Sequence, residues 1–239
     1  MNMKEPVTRA VLLAAGRGAR LQPYTDTTPK PLLAHRGKPT LDYLLDSLLE
    51  AGVSDIVLVA NYLSEQIEQY AMLRCASHAQ RVRVALQPHL AGTANALESA
   101  LEQFPDIVSH SFVLSASDYL VPRSFFSELL GFHAGHDAEL TVSMKSLNEH
   151  EMAERSSLRF INDKFIAEIV EKPAPGTAPS SIGANLTFVL PSSIVAYVDD
   201  VPISSRGERE VQQAINSWLR QGGMAQGLLQ AAPPEWEKP

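Results

Sequence analysis

Residues 7–21 read Val7-Thr8-Arg9-Ala10-Val11-Leu12-Leu13-Ala14-Ala15-Gly16-Arg17-Gly18-Ala19-Arg20-Leu21, and this stretch decides the fold. Residues 7–13 form a short apolar run with the length of a buried strand. The run gives way to alanines and glycines, which let backbone N–H groups come close to an anion. A strand opening into a glycine loop starts a β–α unit, and the following chain repeats the pattern. Apolar runs at 55–60, 82–86 and 111–114 predict further strands. Residues 40–51, 64–73 and 93–104 carry apolar positions at helical spacing, with Thr40, Ser64 and Thr93 placed as N-caps. The alternation predicts an α/β fold with a Rossmann-like mixed, mostly parallel sheet flanked by helices.

Beyond residue 123 the pattern changes. Residues 139–145, 157–161, 165–170 and 184–190 read as strands without long helices between them, a β-rich extension of the sheet that covers one side of a cleft. Residues 173–181, rich in Pro, Gly, Ser and Ala, read as a mobile loop between two strands. A last helix is expected over 208–220, with Ser204 or Ser205 near its start and Glu208 and Glu210 in its first turn. A strand is expected over 224–229.

Composition narrows the function. A chain of 239 residues that is 45% hydrophobic can bury one large core, and disorder is not expected. A net charge of -7 argues against nucleic acid as a partner, because tracking a phosphate backbone needs surplus Lys and Arg. The single cysteine, Cys75, has no internal disulfide partner and no zinc-ligand spacing around it, which predicts a reducing, cytoplasmic setting. Lys4 and Arg9 precede residues 10–15 as in a secretion signal, but that apolar run is short and a glycine loop interrupts it. No stretch approaches the ~20 apolar residues of a membrane span.

The loop itself excludes two common phosphate-binding motifs. Gly16-Arg17-Gly18-Ala19-Arg20-Leu21 lacks the third glycine of the dinucleotide fingerprint, and no Gly-Lys-Ser/Thr follows it. Its continuation is Gln22-Pro23-Tyr24-Thr25-Asp26-Thr27-Thr28-Pro29-Lys30-Pro31-Leu32-Leu33, where the prolines fix φ on both sides of Lys30 and present its ammonium from a stiff backbone. Taken alone, Arg20 also reads as a solvated loop cation and Lys30 as a surface lysine. Together the residues resemble, position by position, the signature Leu-Ala-Ala-Gly-x-Gly-x-Arg-Leu-x-Pro-x-Thr-x-x-x-Pro-Lys-Pro-Leu of the sugar-nucleotide pyrophosphorylases, in particular their glucose-1-phosphate thymidylyl- and uridylyltransferase branch.

The resemblance implies a nucleotidyltransferase that takes a nucleoside triphosphate, UTP or dTTP before others, and a sugar 1-phosphate, and releases pyrophosphate. It implies a single domain over 1–239, with a nucleotide-binding half at about 1–122 and an acceptor-binding half at about 123–239. Arg20 and Lys30 are then the catalytic cations, and Leu13, Ala14, Ala15, Gly16 and Gly18 bind nucleotide. The segment Gln87-Pro88-His89-Leu90-Ala91-Gly92-Thr93 is similar to the base-reading segment of the family. A glutamine amide offers both donor and acceptor to a uracil or thymine edge, and Gly92 lets a base or ribose lie against the chain. Asp118, at the end of a buried strand where α/β sheets bind ligands, stands where the family binds metal, here Mg²⁺, with Ser117 in place of the usual glycine. Glu171 and Lys172 match the motif that holds the sugar and the acceptor phosphate, and Asn185 stands where the family has glycine in the sugar pocket. Residues 205–210, Ser205-Arg206-Gly207-Glu208-Arg209-Glu210, match the Arg-Gly-Glu-x-Glu of the family, read here as structural or functional.

Two alternatives stay open: a cytidylyltransferase acting on phosphocholine or a phosphonate, and a non-catalytic regulatory subunit that binds nucleotide sugar. A homo-oligomer is compatible with the sequence. The family supplies a second metal aspartate shortly after a tryptophan beyond the last strand; here Trp236 marks that place and Glu237 follows. The expectation is that this is the catalytic domain of a longer polypeptide whose next segment brings the aspartate, rather than that Glu237 replaces it or Asp118 works alone. His133 and His136 lack further ligands at metal spacing and read as a solvated helix end.

Overall fold

The computed structural model describes residues 4–231. The chain runs β1 (Arg9–Leu13), β2 (Ala34–His35), β3 (Lys38–Pro39), α1 (Thr40–Glu50), β4 (Asp55–Ala60), α2 (Ser64–Ser77), β5 (Arg81–Leu86), α3 (Thr93–Gln103), β6 (Phe112–Ala116), α4 (Phe125–Ala134), β7 (Leu140–Ser146), α5 (Glu149–Glu154), β8 (Ser157–Ile161), β9 (Phe165–Val170), β10 (Ile182–Leu190), α6 (Val211–Arg220) and β11 (Ala225–Leu229). Among the described residues these strands build a nine-stranded sheet of order β5-β4-β1-β6-β10-β7-β11-β9-β8, with β2 and β3 forming a separate ribbon. The strands β5, β4, β1 and β6 are all parallel, and β10 joins them antiparallel to β6. One sheet thus runs through both halves of the sequence, parallel in the first and mixed in the second.

Alternate residues of each central strand feed two separate cores. On β1, Val11 packs in a core with α3 and α6 residues such as Leu97 and Trp218. Ala10 and Leu12 pack on the other face with Leu44 of α1, Ile67 of α2 and Phe126 of α4. Burial on both faces is why these strands read as continuous apolar runs rather than as alternating ones. The outer edge of the sheet at β5 is blunted by side chains. Cys75 Sγ meets both the N–H and the carbonyl of Val82, and the Gln103 amide does the same at Leu86.

Several local expectations need correction. None of the three proposed N-cap side chains caps its own helix. The Thr40 hydroxyl donates to Leu33 O, and the Thr93 hydroxyl accepts from the Val211 N–H, satisfying the first amide of α6 instead. The second half does contain a ten-residue helix, α4, whose Phe125, Phe126 and Leu129 are buried. The short α5 is held by a capping box in which Asn148 and Glu151 exchange side-chain and backbone hydrogen bonds. The last helix begins at Val211, so Glu208 and Glu210 precede its first turn; both residues line the cleft.

Candidate active site

The site lies at the carboxyl ends of β1 and β6. The Ala14 N–H donates to Val59 O (2.8 Å), carrying the sheet one residue past β1 before the loop begins. The two loop glycines then differ in kind. Gly18 has φ +63°, and a Cβ there would stand 2.9 Å from Thr25 Cγ2 and 3.2 Å from Lys30 Cβ, so the fold itself demands glycine. Gly16 lines the cleft, and a Cβ on it would meet nothing within 4 Å. The Thr25 hydroxyl donates to Gly18 O (3.0 Å), closing the loop against the segment that carries Lys30. Lys30 opens a short 3-10 turn, Lys30–Leu32, in which Pro31 is buried.

Lys30 and Asp118 meet in an ion pair, each side chain 21% exposed. Asp118 follows β6, and its neighbour Ser117 is buried and donates to Leu13 O (2.7 Å), tying the end of β6 to the end of β1. Serine in place of glycine therefore adds a tether here.

This pair stands where two compartments meet, since both residues line each of them. The smaller, about 380 Å³, is walled by residues 13–16, Gln87, Gly92 and Thr93. Gln87 is buried, and its amide nitrogen donates to Gly92 O (3.3 Å) and to Asn95 Oδ1 (2.9 Å). Its donor side is thus spent within the protein, which corrects the expectation of an amide offering both donor and acceptor. Gly92 has φ +104°, and a Cβ on it would run into the Arg209 backbone, 2.4 Å from its carbonyl oxygen. The Arg209 backbone is therefore one close neighbour that requires glycine at position 92.

The larger compartment, about 560 Å³, is lined by Arg20, Glu171, Lys172 and Arg206 among others. Glu171 is held from three sides: Ser156 Oγ and Gln212 Nε2 (3.1 Å) donate to Oε2, and Arg206 Nη1 lies 3.4 Å from Oε1. Arg206 also grips Glu210 through Nε (3.1 Å) and Nη2 (2.5 Å). Burial lowers the pKa of the guanidinium, but its bonds and charge pairing with Glu210 and Glu171 outweigh this and hold it above the ordinary value. Lys172 takes φ +45°, a left-handed turn at the end of β9 that a lysine adopts only at some cost. Asn185 does not reach the cleft. Strand alternation turns it to the face opposite the cleft-lining Ala184 and Leu186, where it is buried and donates to Ser143 Oγ (3.0 Å), which in turn donates to Gln230 Oε1 (3.0 Å).

The donor set can be tested against a divalent metal. Among the described residues no group of three or more His, Cys, Asp or Glu is arranged to hold an ion. Asp118 at the junction fits a hard cation that keeps one protein carboxylate and takes phosphate oxygens and water for the rest, as Mg²⁺ does. Trp236 and Glu237 lie outside the described residues. His133 and His136 are neither a metal site nor a solvated helix end. His133 is buried, and the Thr141 hydroxyl bonds to both rings (2.8 and 3.1 Å). Burial, with Lys4 nearby, pushes His133 down to about 3 and His136 down to about 4. Among residues on the cleft wall, Ser156 and Gln212 carry no signature in the sequence, whereas Arg206 lies in the Arg-Gly-Glu-x-Glu motif.

The nucleotidyl transferase family model matches residues 9–236. The catalytic subunit beta of mannose-1-phosphate guanylyltransferase from Drosophila pseudoobscura pseudoobscura is 28% identical over 208 residues, which is 87% of this chain and 54% of that protein. The low-salt glycan biosynthesis nucleotidyltransferase Agl11 of Haloferax volcanii is 26% identical over 216 residues, 90% of this chain and 58% of that protein. The chain therefore spans about half the length of these curated relatives. In fold it is similar to a UDP-glucose pyrophosphorylase solved with UDP-glucose, with a TM-score of 0.80 at 18% identity, covering 92% of this chain and 90% of that one. No helix among the described residues is long and apolar enough to cross a membrane.

Proposed function

Because the chain belongs to the nucleotidyl transferase family, we propose that it joins a nucleoside triphosphate to a sugar 1-phosphate, forming a nucleotide sugar and pyrophosphate. The observation that carries this reading is the meeting of two compartments at Lys30 and Asp118. The smaller is walled by the glycine loop and Gln87 and takes the nucleotide. The larger, with Lys172 and Arg206 beside Glu171, takes an acceptor that is anionic at one end and hydroxylated at the other. An acceptor phosphate oxygen attacks the α-phosphorus, and the bond to pyrophosphate breaks on the opposite side. No general base is needed, since a phosphate monoester is already ionised near neutral pH. Charge accumulates on phosphoryl oxygens, so fixed cations supply most of the catalysis. Lys30 stabilises the α-phosphoryl group, and Arg20 neutralises the departing pyrophosphate. Members of the family generally use a divalent metal; Asp118 is the residue that would hold Mg²⁺, which would supply charge neutralisation to the triphosphate.

The alternatives fare less well on this cleft. A phosphocholine acceptor calls for several aromatic faces around its ammonium, whereas the described wall of the larger compartment offers one aromatic ring, Tyr119, among mostly charged side chains. A non-catalytic subunit gives no reason for Lys30 and Asp118 to be brought together. For the base, the glutamine favours UTP or dTTP, while the guanylyltransferase relatives point to GTP as well. A pyrophosphate-release matrix of nucleoside triphosphates against sugar 1-phosphates with Mg²⁺ tests the proposal. Release with no pair would refute it.

A further inference from the structure

Resting on that reading, the geometry points to a polarity lock on the nucleobase. Asn95, Glu98 and Arg209 orient the Gln87 amide so that it presents only its carbonyl oxygen, and the site selects bases with a ring N–H (uracil, thymine, guanine) over those with a bare ring nitrogen (cytosine, adenine). The direction is set by a carboxylate, which can only accept. Glu98 Oε2 receives Arg209 Nη1 (2.5 Å) and Asn95 Nδ2 (3.0 Å). Asn95 must therefore turn its nitrogen toward Glu98 and its oxygen toward Gln87. Facing that oxygen, Gln87 must turn its nitrogen inward, where it donates at 2.9 Å. The second hydrogen goes to Gly92 O (3.3 Å), another obligate acceptor. An amide nitrogen carries two hydrogens, and both are engaged, so the acceptor Oε1 is what remains for a ligand.

The anchor of this chain is itself rigid. Arg209 bonds Val201 O, Val198 O and Asp199 O at 2.9–3.1 Å, and its backbone packs on Gly92 and exchanges hydrogen bonds with Ala91 and Ala94. Asn95 and Glu98 lie three apart on α3, so one helix face carries the relay from the acceptor-side segment to the base pocket.

At the ring position facing a carbonyl, uracil and thymine offer N3–H and guanine offers N1–H, whereas cytosine and adenine bring a lone pair against a lone pair. An unmatched polar contact of this kind reduces affinity roughly ten- to a hundredfold. Asn95 and Glu98 are positioning residues: they touch no base, and their effect is on which base binds.

The test compares bases of equal size and opposite polarity, UTP with CTP and GTP with ATP, by isothermal titration with Mg²⁺, which requires no knowledge of the acceptor. The parent should bind UTP over CTP and GTP over ATP by at least about tenfold. In Asn95→Leu and in Glu98→Leu, which removes the acceptor oxygen that Arg209 and Asn95 share, both ratios should fall to a few-fold; thermal melting establishes that each variant is folded, and Glu98→Leu decides the matter if Asn95→Leu is not. Equal binding of CTP or ATP by the parent, or ratios that survive in a folded variant, would overturn the lock while leaving nucleotidyl transfer standing. Absence of any triphosphate binding would remove both.

Discussion

The glycine loop allows fold and function to be separated with two alanines. At Gly18, alanine must hold φ +63°, which costs about 1–2 kcal/mol for an L-residue. Its Cβ also stands 2.9 Å from Thr25 Cγ2 and 3.2 Å from Lys30 Cβ, an overpacking worth about 1–3 kcal/mol. Together Gly18→Ala should lose about 2–5 kcal/mol, and for a domain of this size the melting temperature should fall roughly 4–20 °C. Because Lys30 is one of the two groups displaced, turnover should fall as well. At Gly16 the same substitution meets nothing within 4 Å. Gly16→Ala should melt at or slightly above the parent, by up to about 1 kcal/mol in stability, yet raise the KM for the triphosphate because the new methyl protrudes into the cleft. Differential scanning calorimetry and initial rates of pyrophosphate release read the two effects. A Gly16→Ala protein as unstable as Gly18→Ala, or one with unaltered triphosphate use, would refute the division of labour.

Asn185→Leu should reduce stability by about 1–3 kcal/mol, because Ser143 loses a buried partner, while the KM for the acceptor stays within twofold; a large KM change would place Asn185 in the acceptor pocket after all. Glu171→Gln should raise the acceptor KM and leave the triphosphate KM little changed, since Glu171 lines the larger compartment and not the smaller; the reverse pattern would argue against the assignment of compartments. Stability should fall with pH below about 6.5, because the unfolded chain then binds protons that buried His133, held down to about 3, refuses. The slope is up to about 1.4 kcal/mol per pH unit until about pH 3, and chemical denaturation of His133→Leu across that range should show a flatter profile.

Much of this was legible in the sequence where local chemistry decides. The strands at 55–60, 157–161 and 165–170 were read with the bounds they have, because apolar runs there end at turn residues. The glycine loop and Lys30 were legible because glycines and prolines fix the backbone independently of the rest. What failed depends on distant partners. Thr93 looks like a cap for its own helix, but its hydroxyl serves α6, 118 positions away. Glu210 looks like a helix-start carboxylate, but Arg206 draws it to the cleft wall. Asn185 stands between the cleft-lining Ala184 and Leu186 and so faces away from the cleft, where its partner Ser143 lies 42 positions away. The Gln87 relay was invisible for the same reason, since it hangs on a pair 111 residues apart, Arg209 and Glu98. The helix α4 was missed beneath a stretch interrupted by Gly131, a poor helix residue that tertiary packing overrides here.

The central claim is that phosphoryl charge is stabilised where Lys30 meets Asp118. Its most direct measurement is kcat for Lys30→Ala, with the best triphosphate and acceptor pair, beside the Kd of the triphosphate. The account predicts a fall in kcat of about 10²–10³, the loss of one transition-state contact, with Kd changed by less than about tenfold. Turnover within a few fold of the parent would contradict it.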